Sequence, residues 1–110
     1  MLIEEDRENI ELIRTTAQKV WDEDCVFGEF KEPNSPYPEF EWHMVLYGRF
    51  EVLLTYDKSI IGLNIWIEER FVNLRKLTSE ELVRGFDSSK PENLLHNFQV
   101  LDRLLKTYMD

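Results

Sequence analysis

Few side chains in this chain could act as a nucleophile or a general base at neutral pH: one cysteine, Cys25, and two histidines, His43 and His96. A catalytic thiol must ionise, and Cys25 lies between Asp24 and Val26, where acidic neighbours raise its pKa and reduce the thiolate. Free cysteine is also among the most buried residue types. Cys25 therefore reads as a semi-buried structural thiol, and His96, between Leu95 and Asn97, as a partly exposed helical histidine. Glu39, Glu41 and His43 alternate, which places them on one face of a strand and makes them the best local grouping of metal ligands. Sites that grip a transition metal draw ligands from more than one element, and acids alternating with Phe40, Trp42 and Met44 are the pattern of a solvated strand face. No catalytic residue, metal or cofactor is expected.

Motifs add no chemistry. The chain has four glycines and contains no Gly-rich phosphate loop, no H-E-x-x-H and no G-x-S-x-G. Carboxylates are abundant, but acid–base catalysis needs two of them in a water-poor cleft with pKa values pushed apart. The acids here instead come in runs, Glu4-Glu5-Asp6 with Glu8 and then Asp22-Glu23-Asp24.

Charge narrows the classes of partner. With 22 acidic and 13 basic residues the net charge is −9, which disfavours nucleic acid and anionic membrane surfaces, since both require clustered Lys and Arg. Residues 1–41 hold 12 acids and 4 bases, a net of −8, and residues 42–110 hold 10 acids and 9 bases, a net of −1. The acidity belongs to the N-terminal third, and such a field favours a basic protein partner. Cys25 stands alone, so no intrachain disulfide can form. No apolar run approaches the ~20 residues of a membrane span, and the first residues carry acids where a secretory signal carries bases. A cytoplasmic protein forming a single domain over residues 1–110 is expected.

The elements that position these residues follow from periodicity. Ile3, Ile10, Ile13, Ala17, Val20 and Trp21 recur at spacings mostly of three and four, which predicts a helix over about 4–22 with acids in its first turns. A short strand over 25–31 follows, then the segment EPNSPYPE, whose prolines oppose helix and predict an irregular, exposed loop. From Phe40 the period is two, with turn-like breaks at Tyr47-Gly48-Arg49, Asp57-Lys58-Ser59 and Glu68-Glu69-Arg70, the signature of a β-meander.

A two-residue loop at Lys58-Ser59 places Phe50, Val52, Leu54 and Tyr56 on the same face as Ile61, Leu63, Ile65 and Ile67. The same construction across Glu69-Arg70 sets Ile67 opposite Val72 and Ile65 opposite Leu74. In the first hairpin a three-residue loop with an extra bulge residue is favoured over a Gly48-Arg49 turn, because only the former keeps Phe40, Trp42, Met44 and Leu46 on that face. Thr78-Ser79-Glu80-Glu81 has the form of a capping box with Gly85 as a stop, predicting a short helix over 79–84. Pro91 and the spacing of Leu94, Phe98, Leu101, Leu105 and Tyr108 predict a long final helix.

The expected fold is therefore α+β: an N-terminal helix, a four- to five-stranded antiparallel meander, a short helix and a long C-terminal helix, with the helices packed on one sheet face. The other face would carry Glu41, His43, Tyr47, Glu51, Leu53, Thr55, Asn64, Trp66, Phe71, Asn73 and Arg75, and whether Trp66 is open there or covered by the first strand or the proline loop is undecided. The expected function is a non-enzymatic, acidic protein-binding module that masks a basic protein, as an immunity protein masks a toxin. The candidate partner-binding residues are Glu4, Glu5, Asp6, Glu8, Asp22, Glu23, Asp24, Glu41, His43 and Trp66. Two other classes stand beside it: a small acidic dimeric chaperone or adaptor, and a small-ligand carrier or enzyme using Glu41, His43 or Tyr56.

Overall fold

The computed structural model describes residues 4–32 and 39–109. Ile3 and most of the proline segment, for which helical and irregular structure were expected, lie outside the described residues. Helix α1 (Glu4–Trp21) leads through a 3-10 turn (Asp22–Asp24) into strands β1 (Cys25–Lys31), β2 (Glu39–Leu46), β3 (Phe50–Asp57), β4 (Ile60–Ile67) and β5 (Arg70–Asn73). Helix α2 (Leu74–Leu77), a second 3-10 turn (Glu80–Leu82) and helix α3 (Pro91–Thr107) complete the chain. The five strands form one antiparallel sheet in sequence order.

Register decides which side chains are buried. In the first hairpin Leu46 pairs with Phe50 and Met44 with Val52, so the connection Tyr47-Gly48-Arg49 has three residues and the apolar sets of β2 and β3 share a face. Between β3 and β4, Asp57 pairs with Ile60 around Lys58-Ser59, both at positive φ (51° and 66°) as a primed two-residue turn requires. The last hairpin differs from expectation. Glu68 and Glu69 take the positive φ values, so Ile67 pairs with Arg70 and Ile65 with Val72. The turn lies one residue earlier than expected and every cross-strand partner moves by two. An even shift preserves the face.

On the covered face, Met44, Leu46, Val52, Leu54 and Ile65 are all but inaccessible and meet Ile13, Ala17 and Trp21 of α1 and Leu94, Phe98, Leu101 and Leu105 of α3 in one core. The rings of Trp21 and Phe98 lie 4.9 Å apart where the helices meet. Asp102 ties this junction together. It accepts hydrogen bonds from Trp21 Nε1 (2.9 Å) and the Tyr47 hydroxyl and pairs with Lys106 at 3.0 Å, joining α1, α3 and the first hairpin.

Two expected elements change. Residues 79–84 make a 3-10 turn over Glu80–Leu82 rather than an α-helix, and the short α-helix comes earlier, at Leu74–Leu77, capped by the Asn73 side chain accepting from Arg75 N at 3.0 Å. The reason the later helix fails is a competing partner. The buried Asn97 amide accepts from Arg84 N (2.8 Å) and donates to Arg84 O (2.9 Å), taking the backbone groups a helix would use. Leu74, expected on a strand, is the first residue of α2 and is buried there.

Candidate interaction surface

Because both long helices cover one face of the sheet, side chains of opposite parity face outward. The register lines them up in rows. His43, Leu53, Asn64 and Asn73 cross β2 to β5 in one row. In the next, Val26 pairs with Val45, Val45 with Glu51 and Trp66 with Phe71. Among the described residues nothing folds over this row: Val26 is 63%, Trp66 47% and Phe71 45% accessible. Strand β1, which could have covered Trp66, pairs at the far edge beside β2 and extends the open face instead. The Trp66 and Phe71 rings are in contact, 5.0 Å between centroids and tilted by 37°, a geometry that fixes both rings relative to one another.

The face is acidic as well as aromatic. Among the described residues, register places Glu39, Glu41, Glu51 and Asp57 on it against Lys31 and His43. Glu39 and Asp57 are directly opposite one another, an arrangement that costs a sheet stability because like charges repel across the strands. Glu39, Glu41 and Asp57 also line a shallow depression of about 250 Å³ with Tyr56. Glu39, Glu41 and His43 share the face as their alternation required, but among the described residues no three His, Cys, Asp or Glu side chains gather into a metal-holding group.

The acids of the N-terminal third are placed differently. Glu4 and Glu8 are exposed on α1, whereas Asp6 is 1% accessible and presents no carboxylate to solvent. Its spacing explains this: Asp6, Asn9, Ile13, Thr16 and Ala17 lie on the inward stripe of α1, which is polar in its first half. Glu5 accepts from the Tyr56 hydroxyl at 2.8 Å, pinning the start of α1 to β3. Asp22, Glu23 and Asp24 are exposed at the opposite end of α1, about 27 Å away at 1.5 Å per residue. The two runs form separate patches on the helical layer, and only Glu41, His43 and Trp66 of the candidate residues come together on the open sheet.

Burial also answers the chemistry of the titratable groups. Desolvation pushes the Cys25 thiol up to about 11, and its Sγ lies 3.7 Å from Met44 Sδ, so it is a packed thiol. Tyr56 is raised to about 12 by desolvation and by its bond to Glu5. Tyr47 is raised by desolvation and by Asp102. Burial alone would raise Asp102, but hydrogen bonds from Tyr47, Lys106 and Trp21 outweigh it and hold the carboxyl below its usual value. His96 Nε2 donates to Leu82 O at 2.7 Å, a structural tie between α3 and the 3-10 turn.

Sequence reasoning missed Val26 and Val45, whose place depends on the β1–β2 register and its bulge between Phe27 and Phe30. Among the described residues no helix is long and apolar enough to cross a membrane. Comparison of the chain with protein-family models, with curated proteins and with solved structures gives no match.

Proposed function

We propose that the protein is a binding module that engages a basic protein partner through the open face of its sheet, with Trp66 and Phe71 as the anchor, Glu51 in their row and Glu41 further along the same face. The observation that carries this reading is the exposed aromatic pair on adjacent strands, on a face that also carries Glu41 and Glu51 and is uncovered by any described element. Large aromatic side chains near the centre of a patch supply most of the affinity at protein interfaces. Acids around them steer a basic partner and raise its association rate more than they tighten the complex. The net charge of −9 extends the same attraction over the whole molecule.

The test is to isolate a stoichiometric partner from the source cells and compare variants by calorimetry. Replacing the anchor, W66S/F71S, should weaken the complex by about 30-fold or more, the loss expected of a hot spot. Removing the acidic charges of the face, E41Q/E51Q, should cost several-fold at low salt and little at high salt. Binding that survives both changes but falls when Glu4, Glu8, Asp22, Glu23 and Asp24 are neutralised would move the interface to the helical layer. A dimer in light scattering that W66S/F71S turns into a monomer would make the partner a second copy and overturn the reading.

A further inference from the structure

Strand β5 is four residues long and pairs only with Asn64–Ile67, which leaves Ile60–Leu63 of β4 without a strand on that side. The chain from Leu74 to Ser88 runs along this edge and borders an open-mouthed cavity of about 300 Å³, at the lower end of the range for small-molecule sites. Its apolar lining comes from Ile61, Leu63, Leu74 and Val83. Its charged lining is Arg75, Lys76 and Arg84, and no acid lines it among the described residues. In a chain with 22 acids and 13 bases this is a local reversal of sign.

The walls are built. Asn97 holds Arg84 by both backbone groups, Arg84 Nη1 donates to Asn93 Oδ1 at 3.1 Å, and Ser88 Oγ accepts from Ile61 N at 2.7 Å. Asn97 and Ser88 are 2% and 1% accessible, so the far wall is tied both to α3 and to β4. Gly85 faces Arg75 so closely that a Cβ would stand 3.3 Å from Nη1, and the missing side chain leaves the guanidinium room against the backbone. Arg75 and Lys76 from one segment and Arg84 from another thus line one cavity, a concentration of positive charge that an anion would complement.

We infer that this cavity binds a small organic anion, its carboxylate or phosphate met by Arg75, Lys76 and Arg84 and its apolar body lying against Ile61, Leu63, Leu74 and Val83. A planar guanidinium suits either acid group. The cavity begins at Ile60, the opposite end of β4 from Trp66, so the site does not depend on the protein-binding reading of the open face.

The test is an amide NMR titration of the whole chain with phenyl phosphate, phenylacetate and, as the uncharged control, benzyl alcohol. At least one anion should shift Gly85, Ser88 and Asn97 saturably with a Kd of about 1 mM or tighter, with benzyl alcohol at least about tenfold weaker. The tighter of the two anions identifies the acid group. K76Q/R84Q, at two exposed positions, gives up the Arg84 contact to Asn93 but leaves the Asn97 bonds to the backbone in place, and should weaken anion binding about tenfold or more with spectral changes confined to the neighbourhood of residues 76, 84 and 93. V83W, filling the cavity, should abolish it. Equal binding of benzyl alcohol, shifts centred on Trp66 and Phe71, no saturable shift up to about 10 mM, or unchanged affinity in K76Q/R84Q would overturn the assignment.

Discussion

Leu53 and Leu54 are neighbours on the central strand and have opposite fates. Leu54 faces the helices and is 0% accessible, paired with Trp42 and Leu63, while Leu53 lies half-buried on the open face between His43 and Asn64. The same residue type in the same strand thus serves two different purposes: one side of the sheet is a core, and the other is a surface that retains apolar groups without a cover. Truncation measures the difference. Leu54→Ala should cost about 3 kcal/mol in urea unfolding, because the closed core cannot collapse into the gap. Leu53→Ala should cost under about 1 kcal/mol. Equal losses would mean that the open face is covered in the folded protein and would erase the contrast between the two sides.

The covered side also owes its geometry to a few polar ties, and Asp102 is the most connected. Asp102→Ala strands the Tyr47 hydroxyl and Trp21 Nε1 and releases Lys106, a loss of about 2 kcal/mol for groups partly open to solvent. The effect depends on pH with a definite sign. The folded carboxyl titrates below its ordinary value, so its contribution is present above the unfolded pKa of about 4 and is lost as pH falls through the folded pKa. Wild type and variant should therefore converge in acid, measured by urea midpoints stepped downward from neutral pH.

These two sides were not equally readable. Period-two alternation and the Lys58-Ser59 turn placed the covered face of β3 and β4 residue by residue, since burial of one face leaves only one workable parity. The last hairpin slipped by two because Glu68 and Glu69, rather than a glycine, take the left-handed conformations, and side-chain type gave no signal for that. Asp6 read as a surface acid because its charge was weighed without its place on the inward stripe of α1. The basic cavity was invisible in the sequence. It arises where β5 stops and where Asn97 captures Arg84 from 13 residues away, and neither event has a local pattern. Charge totals hid it as well, since residues 42–110 sum to −1 while three of their cations converge in one place.

A smaller effect tests the joint between the two layers. Tyr56 donates to Glu5 at 2.8 Å and is raised to about 12. A phenol whose folded pKa exceeds its unfolded value of about 10 stabilises the fold fully below pH 10 and ceases to do so as pH rises through the folded value. Tyr56→Phe should cost about 1 kcal/mol at neutral pH. Between about pH 10 and about 12 the wild type should lose that margin while the variant stays flat. A margin that persists at pH 12 would detach Glu5 from Tyr56 and leave the start of α1 held by packing alone.

The smallest change in stability should come from the residue on which the proposed interface depends most. Trp66→Ser removes an exposed ring and its contact with Phe71, worth about 0.5–1 kcal/mol, and leaves every covered-face contact intact. Three tryptophans make this measurable by light: Trp21 and Trp42 are 3% and 9% accessible, so the fluorescence that acrylamide quenches readily belongs to Trp66. That component should be present in the wild type, absent in Trp66→Ser, and protected when the isolated partner is added. A variant as unstable as Leu54→Ala would instead make Trp66 part of the core and remove the basis for placing a partner on this face.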